Sequence, residues 1–460
     1  MLDATNLTTQ DLRSKLDRFW KLAGDKILLI DQEFDSASGA PVFTVNGKYG
    51  SRGWTEWTQG FQYGAAIIQF EVSGDERFLD LGRDATIQRM APHVTHFGVH
   101  DHGFNNVSTY GNLHRLIVEG KIDAASREKE LYELALKLSG SVQAHRWTDL
   151  PAGGGYIYSF NGPHSLFVDT IRSVRALIVS HELGHDYRAE NDKVSSLLDK
   201  ALDHAVSTAA YSVYYGEGRD TYDVEGRTAH ESVFNLNDGR YRCPNSQQGF
   251  SGFTTWTRGL AWAMLGFAEQ LEYLDTLSSD ALDHRGGLKK YQDIFLKAAQ
   301  ATCNFYINYT PPDGIPYWDT GAPDLHMLGD YLSQPADPFN DFEPVDSSAA
   351  AIGAQGLLRL GKYLNDHGED GDRYWQAGLH VANRLLEEPY LSVDPGHQGL
   401  ILHSIYHRPN GWDHIPTGKK QPCGESSMWG DYHAMELCLY LHGFNHDMNH
   451  YTFFNGVKNA

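Results

Sequence analysis

Ten stretches of this chain carry apolar residues at helical spacing: 62–72, 105–119, 127–147, 167–182, 193–215, 257–275, 287–308, 346–364, 372–387 and 429–442. Two of the junctions share one grammar. Val72-Ser73-Gly74-Asp75-Glu76-Arg77-Phe78 and Glu182-Leu183-Gly184-His185-Asp186-Tyr187 each read as a helix closed by a left-handed glycine, followed by the start of the next element. That is the punctuation of antiparallel helix pairs. A weaker repeat marks the other ends. Trp57-Thr58-Gln59-Gly60-Phe61, His100-Asp101-His102-Gly103-Phe104, Val168-Asp169, Trp256-Thr257-Arg258-Gly259, Val345-Asp346-Ser347-Ser348 and Trp429-Gly430-Asp431-Tyr432 each open a helical stretch. They are spaced by roughly 45 to roughly 90 residues, so a ring of hairpins must carry insertions. The pattern predicts a single all-α toroid over residues 1–460, with polar and aromatic groups at the helix starts lining one rim.

The segments 149–165, 217–256 and 309–345 are rich in Gly, Pro and aromatic residues. They predict long rim loops of the kind that serve as lids or binding loops. Asn235-Leu236-Asn237-Asp238-Gly239-Arg240 predicts the turn of a small hairpin.

Two aspartates carry the chemical signal. Asp169 sits in Ser165-Leu166-Phe167-Val168-Asp169-Thr170, an apolar run that ordinarily rejects a charge. Burying an unpaired carboxylate costs several kcal/mol or shifts its pKa, so Asp169 must be partnered, protonated or functional. Asp101, inside the His100–Phe104 stretch, is its natural counterpart, and two carboxyl groups in one pocket suit general acid–base chemistry. His181-Glu182-Leu183-Gly184-His185 also fits the HExxH pattern of zinc peptidases. Gly184, however, falls where Gly74 ends its own helix, and a breaker inside the motif disfavours a helix through His185. The continuation Asp186-Tyr187-Arg188-Ala189-Glu190-Asn191 lacks a third histidine. No metal is expected, and a zinc peptidase with Glu190 or a later Glu as third ligand stands as an alternative.

Composition narrows the partners. A formal net charge of −21 opposes binding to nucleic acid and to anionic membranes. The hydrophobic fraction of 41% supports a large core, and the ten Trp and 25 Tyr suit either that core or a sugar-binding cleft. Cys243, Cys303, Cys423 and Cys438 are widely spaced and read as reduced thiols rather than a disulfide framework. Met1–Asn6 has no basic segment followed by an apolar one, and no apolar run approaches the roughly 20 residues of a membrane span. A soluble, cytoplasmic protein is expected, monomeric or weakly oligomeric, with no cofactor.

Taken in order, the motifs resemble those of glycoside hydrolase family 88, the unsaturated glucuronyl hydrolases. The resemblance rests on Trp57–Gly64, His100–Phe104, Val168-Asp169, Gln248-Gly249-Phe250, Trp256–Trp262, Tyr317-Trp318-Asp319, Asp346–Ile352 and Trp429–Tyr432, spanning roughly residues 50–445. It implies an (α/α)6 barrel acting on oligosaccharides whose nonreducing end is a 4,5-unsaturated uronic acid left by a polysaccharide lyase. The reaction implied is hydration of the enol-ether double bond. Asp169 matches the family's general acid/base, and Asp101 the second essential carboxylate. Gln248 and Arg258 match groups that bind the substrate carboxylate, with a buried ion pair as the other reading of Arg258. His230 matches a pocket histidine that steers water or a hydroxyl, and His100 is placed to contact the sugar. Trp57, Trp147, Trp256 and Trp262 match pocket aromatics, although Trp262, one helical turn inside, suits the core equally. The apolar neighbours of Asp169 and the charge of Asp101 are expected to raise the Asp169 pKa, as proton donation to carbon requires.

Departures from the family pattern concern the aglycone. Gln247-Gln248-Gly249 stands where His-Gln-Gly is common, Arg172 and Arg175 stand where neutral residues are usual, and the Asp324–Glu343 loop is long. Pro422-Cys423-Gly424-Glu425-Ser426 preserves no sulfate-binding signature. An unsaturated rhamnogalacturonyl hydrolase is the alternative within the class. A noncatalytic carbohydrate-binding toroid and a sugar epimerase are alternatives outside it.

Overall fold

A computed structural model of the chain describes residues 6–53, 57–125, 127–446 and 448–458. Most of the N-terminal stretch read above for a leader, Met1–Thr5, lies outside the described residues. Helix α1 (Arg13–Glu33) is followed by α2 (Gln59–Ser73) and α3 (Glu76–Arg89). Helix α4 starts at His102–Asn106 and runs through a π turn at Val107–Gly111 into Asn112–Val118; α5 is Glu128–His145. A single turn at Thr170–Ser173 leads into α6 (Arg175–Glu182), and α7 is Leu197–Tyr211. The remaining long helices are α8 (Thr257–Leu274), α9 (Leu288–Tyr309), α10 (Ser347–Asp366), α11 (Asp372–Leu385) and α12 (Met428–Asn445).

The even-numbered helices form an inner ring and the odd-numbered ones an outer ring, an (α/α)6 barrel. Burial separates the two rings. Almost every residue of α8 and α12 is buried, because each has neighbours on all sides. Outer helix α11 buries only a stripe, Tyr374, Ala377, Gly378, Leu379, Val381, Ala382 and Leu385, and leaves its other face to water. The ring closes where α12 packs on α2, and α1 lies outside both, packed more heavily on α2 than on α12. Thus the N-terminal helix covers the seam between the first and last inner helices.

The junction glycines behave as the sequence predicts. Gly74 caps α2 at φ 67°, and Gly184 follows the end of α6 at φ 77°. Because α6 ends at Glu182, His181 and His185 do not share a helical face. His185 Nε2 instead pairs with Ser141 Oγ at 2.9 Å, and Glu182 accepts from the Tyr273 hydroxyl.

Small sheets build the rim. Strands β1 (Pro41–Val45) and β2 (Lys48–Ser51) pair antiparallel, as do β3 (Trp147–Asp149) and β4 (Gly155–Ile157). Strand β5 (Ser165–Phe167) pairs with β6 (Glu231–Phe234), which pairs with β7 (Tyr241–Asn245) across the predicted Asn235–Arg240 turn. No helix among the described residues is long and apolar enough to cross a membrane.

Below the rim, the barrel axis is filled with paired charge. Arg172 donates to Glu269 and Glu436 and to His433 Nε2, all buried. Arg175 donates to the Gly103 carbonyl and lies 3.6 Å from Glu436. Arg359 pairs with Glu272 at 2.6 Å. The two arginines that depart from the family pattern are thereby explained: each faces a buried glutamate from another inner helix.

Candidate active site

Close backbone approach brings the two aspartates together. Asp101 precedes α4, and Asp169 caps the turn before α6. A Cβ on Gly103 would stand 2.1 Å from the Ser173 carbonyl oxygen, so only glycine lets these segments meet. Gly103 N–H donates to Ser173 Oγ at 3.0 Å, while the Ser173 hydroxyl donates to the His100 carbonyl at 2.6 Å. Gln143 Nε2 donates to that same carbonyl at 2.7 Å. Gly60 has the same use one hairpin earlier: a Cβ there would lie 2.4 Å from the Asn105 backbone.

His100 bridges the pair. Its Nε2 lies 3.3 Å from Asp169 Oδ1 and 3.7 Å from Asp101 Oδ1. Nδ1 is buried without a partner, so Nε2 is where the ring holds its proton. The ring is fixed by Phe160, stacked at 5.9 Å, and by Phe167, edge-on at 5.6 Å.

The three groups shift apart. Burial pushes the Asp101 carboxyl up, the nearby Asp169 charge adds to this, and His100 and Arg146 only partly offset it; the net direction is up. Burial also pushes Asp169 up, but the hydrogen bond and charge of His100, with His230 and Arg258, outweigh it and hold the group below the usual carboxylate range. Burial opposes charge on His100, yet the two carboxylates outweigh it and raise the imidazole above 6.5. This corrects the sequence expectation, which raised Asp169. The imidazole stands against Asp169, so the carboxyl that rises is Asp101.

The sign of the linkage follows. The favourable His100–carboxylate interaction is fully present below pH 6.5 and is lost as pH rises through the elevated imidazole pKa. NMR titration of the His100 ring should therefore give a midpoint above 6.5, and Asp101→Asn should lower it. A midpoint that does not move in the variant would remove Asp101 as the chief source of the shift.

His230 is placed beside Asp169 through the sheet: Val168 N–H donates to the His230 carbonyl at 2.9 Å, and the ring packs on Phe167 at 4.4 Å and Trp256 at 4.6 Å. Its Nδ1 accepts from the backbone N–H groups of Gln247 and Gln248, so the proton sits on Nε2, buried and unpartnered. Burial lowers this imidazole to about 4, against the pull of Asp169 and Glu231, and keeps it neutral.

Arg258 is fully engaged by the protein. Nη1 pairs with Asp346 at 2.9 Å and donates to the Ile405 carbonyl; Nη2 donates to Gln248 Oε1 and to the Tyr406 carbonyl, both at 2.8 Å. Of the two readings of Arg258, the geometry matches the buried ion pair. Its contact with Gln248 fixes the amide so that the Gln248 NH2 is turned to donate elsewhere. Asp346 is itself placed by capping α10, accepting from Ser348 and Ala349 N–H. Asp319 accepts from Phe250 N–H and holds the loop that carries Gln248.

The tryptophans divide. Trp256 packs against His230 and lies under the Arg258 guanidinium at 4.7 Å, and Trp57 stacks on Trp429 at 5.1 Å. Trp262 is buried beneath them against Phe104 and His433, a core position. Trp147 is turned outward: Nε1 donates to Asp149, and Lys200 Nζ sits 3.9 Å over the ring. The structure does not bring it to the aspartates. Arg146, its neighbour, was missed by sequence reasoning. It donates to the carbonyls of Phe97, Tyr158 and Ser159 and so ties the loops flanking the pair. An arginine that binds carbonyls has no partner signature in sequence.

Three similarities to known proteins bear on this arrangement. The chain is 24% identical over 446 residues to an unsaturated chondroitin disaccharide hydrolase of Streptococcus pyogenes serotype M1, covering 94% of this chain and 92% of that protein. It is 24% identical over 447 residues to an unsaturated glucuronyl hydrolase of Bacillus sp. strain GL1, covering 95% of each. The crystal structure of an unsaturated glucuronyl hydrolase from Streptococcus agalactiae superposes with a TM-score of 0.70 at 20% identity, covering 97% of this chain and 94% of that one. No protein-family model matches the chain.

Proposed function

We propose that this chain, related over nearly its whole length to the unsaturated glucuronyl hydrolases, is a glycosidase that releases a nonreducing-end 4,5-unsaturated uronic acid from lyase-generated oligosaccharides. The observation that carries the reading is the His100 bridge between Asp101 and Asp169, set beside a Gln248 amide held in one orientation by Arg258.

Hydration of the C4=C5 bond needs one proton placed on C4 and one taken from the water that adds at C5. A bridged triad that holds one mobile proton gives one and takes one without net change. At rest Asp169 is the more ionised carboxyl. A bound uronate brings its own negative charge and excludes water, and both raise a carboxyl pKa. They favour moving the Nε2 proton of the His100 imidazolium onto Asp169 across their 3.3 Å contact, which leaves a neutral ring protonated at Nδ1. Asp169 then protonates C4 and accepts the proton of the adding water. The C5 hemiketal opens, and the 4-deoxy-5-keto uronic acid and the aglycone separate. Asp101 supports the imidazole and orients the sugar. The Gln248 NH2 and the His230 Nε2–H are the neutral donors available to the substrate carboxylate and hydroxyls. Trp57 and Trp256 supply the aromatic walls. Residues 1–460 act as one catalytic domain in this reading, and four free cysteines suit a reducing, cytoplasmic setting.

The test is loss of the ultraviolet absorbance of the conjugated double bond on incubation with unsaturated disaccharides from chondroitin, hyaluronan, heparin, ulvan and gellan. Decay with at least one of them is expected. A flat trace with every one would sink the proposal.

A further inference from the structure

We propose that the outward face of helix α5 joins two copies of this chain as an antiparallel helix pair with its two-fold axis at Leu134. The contact is independent of the chemistry assigned to the rim.

The first observation is a second apolar stripe on α5. One face of the helix already holds it to the barrel, with Tyr132, Leu136, Gly140 and Ala144 buried. A Cβ on Gly140 would stand 2.4 Å from the Ser180 Cβ of α6, so the helix is seated tightly. On the solvent side Leu131, Leu134 and Leu138 are 44%, 55% and 41% exposed. Their steps of three and four residues set them in one line, the spacing of a coiled-coil seam. A single exposed leucine is ordinary surface, whereas a line of them marks a contact face. No other helix among the described residues exposes three large apolar side chains.

The second observation is the charge beside the stripe, which identifies the occupant as a second copy. Glu130 and Lys137 lie on the same flank, each immediately before a leucine of the line. Glu130 forms no ion pair with a described residue, and Lys137 reaches Glu133 only at 4.0 Å. On the opposite flank Glu128 is already taken by Arg83 at 2.9 Å. In an antiparallel pair Leu134 meets its own copy, Leu131 meets the partner's Leu138, and Glu130 meets the partner's Lys137. Each of the last two contacts occurs twice, as an isologous interface requires. A parallel pair would instead set Glu130 and Lys137 against Ala135 and Val142 and leave both charges unmatched. Unlike charges equidistant from one leucine make this face complementary to itself, a match that an unrelated partner does not need.

The third observation is where the pair would sit. Helix α5 is an outer helix that ends at rim strand β3. Antiparallel pairing therefore turns the two rims to opposite ends of the dimer and leaves both mouths open. Three leucines and two charges on a convex wall cover less than the roughly 800 Å² per partner of a stable interface, so the dimer is reversible, with a Kd of about 1–100 µM.

The experiment is sedimentation equilibrium of the full chain from about 1 to about 300 µM, which brackets that affinity. The wild type should pass from monomer to dimer across the range. Leu134→Glu puts two like charges on the axis and should stay monomeric throughout. Glu130→Lys and Lys137→Glu each create two like-charge contacts per dimer and should weaken it by at least about fivefold. Combining them restores unlike pairs with the signs exchanged and should return the Kd to within about threefold of the wild type. That rescue reads the contact even if Leu134→Glu folds poorly. A wild type that stays monomeric at the highest concentration overturns the proposal. So does a dimer that Leu134→Glu leaves at wild-type strength, since another face must then hold it. A double variant no stronger than the single ones overturns the antiparallel register and with it the proposal.

Discussion

Asp169→Asn is expected to lower kcat/KM on unsaturated uronides by about 10²–10⁴-fold, the usual contribution of a positioned acid–base group. The amide keeps the shape of the carboxylate but neither gives nor takes the proton. It also removes one of the two charges that raise His100. The variant should remain folded, because Asp169 has no ion-pair partner in the charge network on the barrel axis. Stopped-flow absorbance and a thermal melt on the same preparation check this. Near-wild-type turnover would transfer the acid–base role to another group, with Asp101 the first candidate because its carboxyl is the one pushed up.

The largest effect on stability is expected at Arg172. Arg172→Met should destabilise the fold by about 3–5 kcal/mol, since it leaves Glu269 and Glu436 buried without their main counter-charge. Burial pushes the Glu436 carboxyl up, but Arg172 and Arg175 hold it down to about 2. Its stabilising contribution is present above pH 4.5 and is lost as pH falls towards 2. In the variant that loss should begin at higher pH. Denaturant titrations at neutral and mildly acidic pH read both effects. Adding Glu436→Gln and Glu269→Gln should recover part of the deficit, because it removes the stranded charges. A single-variant loss below 1 kcal/mol would mean that Arg175 and water replace Arg172 fully.

The helical periodicity and the glycine stops were enough to predict the toroid, because both are local. Helix α1 was missed although Leu16, Phe19, Ala23, Ile27 and Ile30 form a stripe. As an outer helix it starts away from the rim and carries none of the Trp, Asp or Gly motifs that marked the inner ones. Within the candidate site, the embedded carboxylates pointed to Asp101 and Asp169 and the family resemblance to His230 and Gln248, while their electrostatics depended on distances that sequence does not carry. The raised Asp101 and lowered Asp169 follow from which carboxylate stands nearer one imidazole nitrogen. Likewise, Arg258 reads as a substrate binder until the carbonyls of Ile405 and Tyr406, nearly 150 residues away, are seen to accept from it. Trp147 is engaged elsewhere, by Asp149 at its indole nitrogen and by Lys200 over its ring, contacts that sequence does not show.

The contact of α2 with α12 across the ring sets the order in which the protein can mature. The five hairpins from α2–α3 to α10–α11 each have both arms within about 60 residues of sequence and can form as they emerge from the ribosome. Helix α1 can pack on α2 early, but both meet α12 only when the last helix is complete, about 400 residues after α1. Until then one flank of α1 and of α2 has no cover. Closing so long a loop is slow, and exposed apolar surface on an open ring invites association with other chains. The seam between the two ends of the polypeptide is thus the latest joint to form in biosynthesis and the place where chaperone protection matters most.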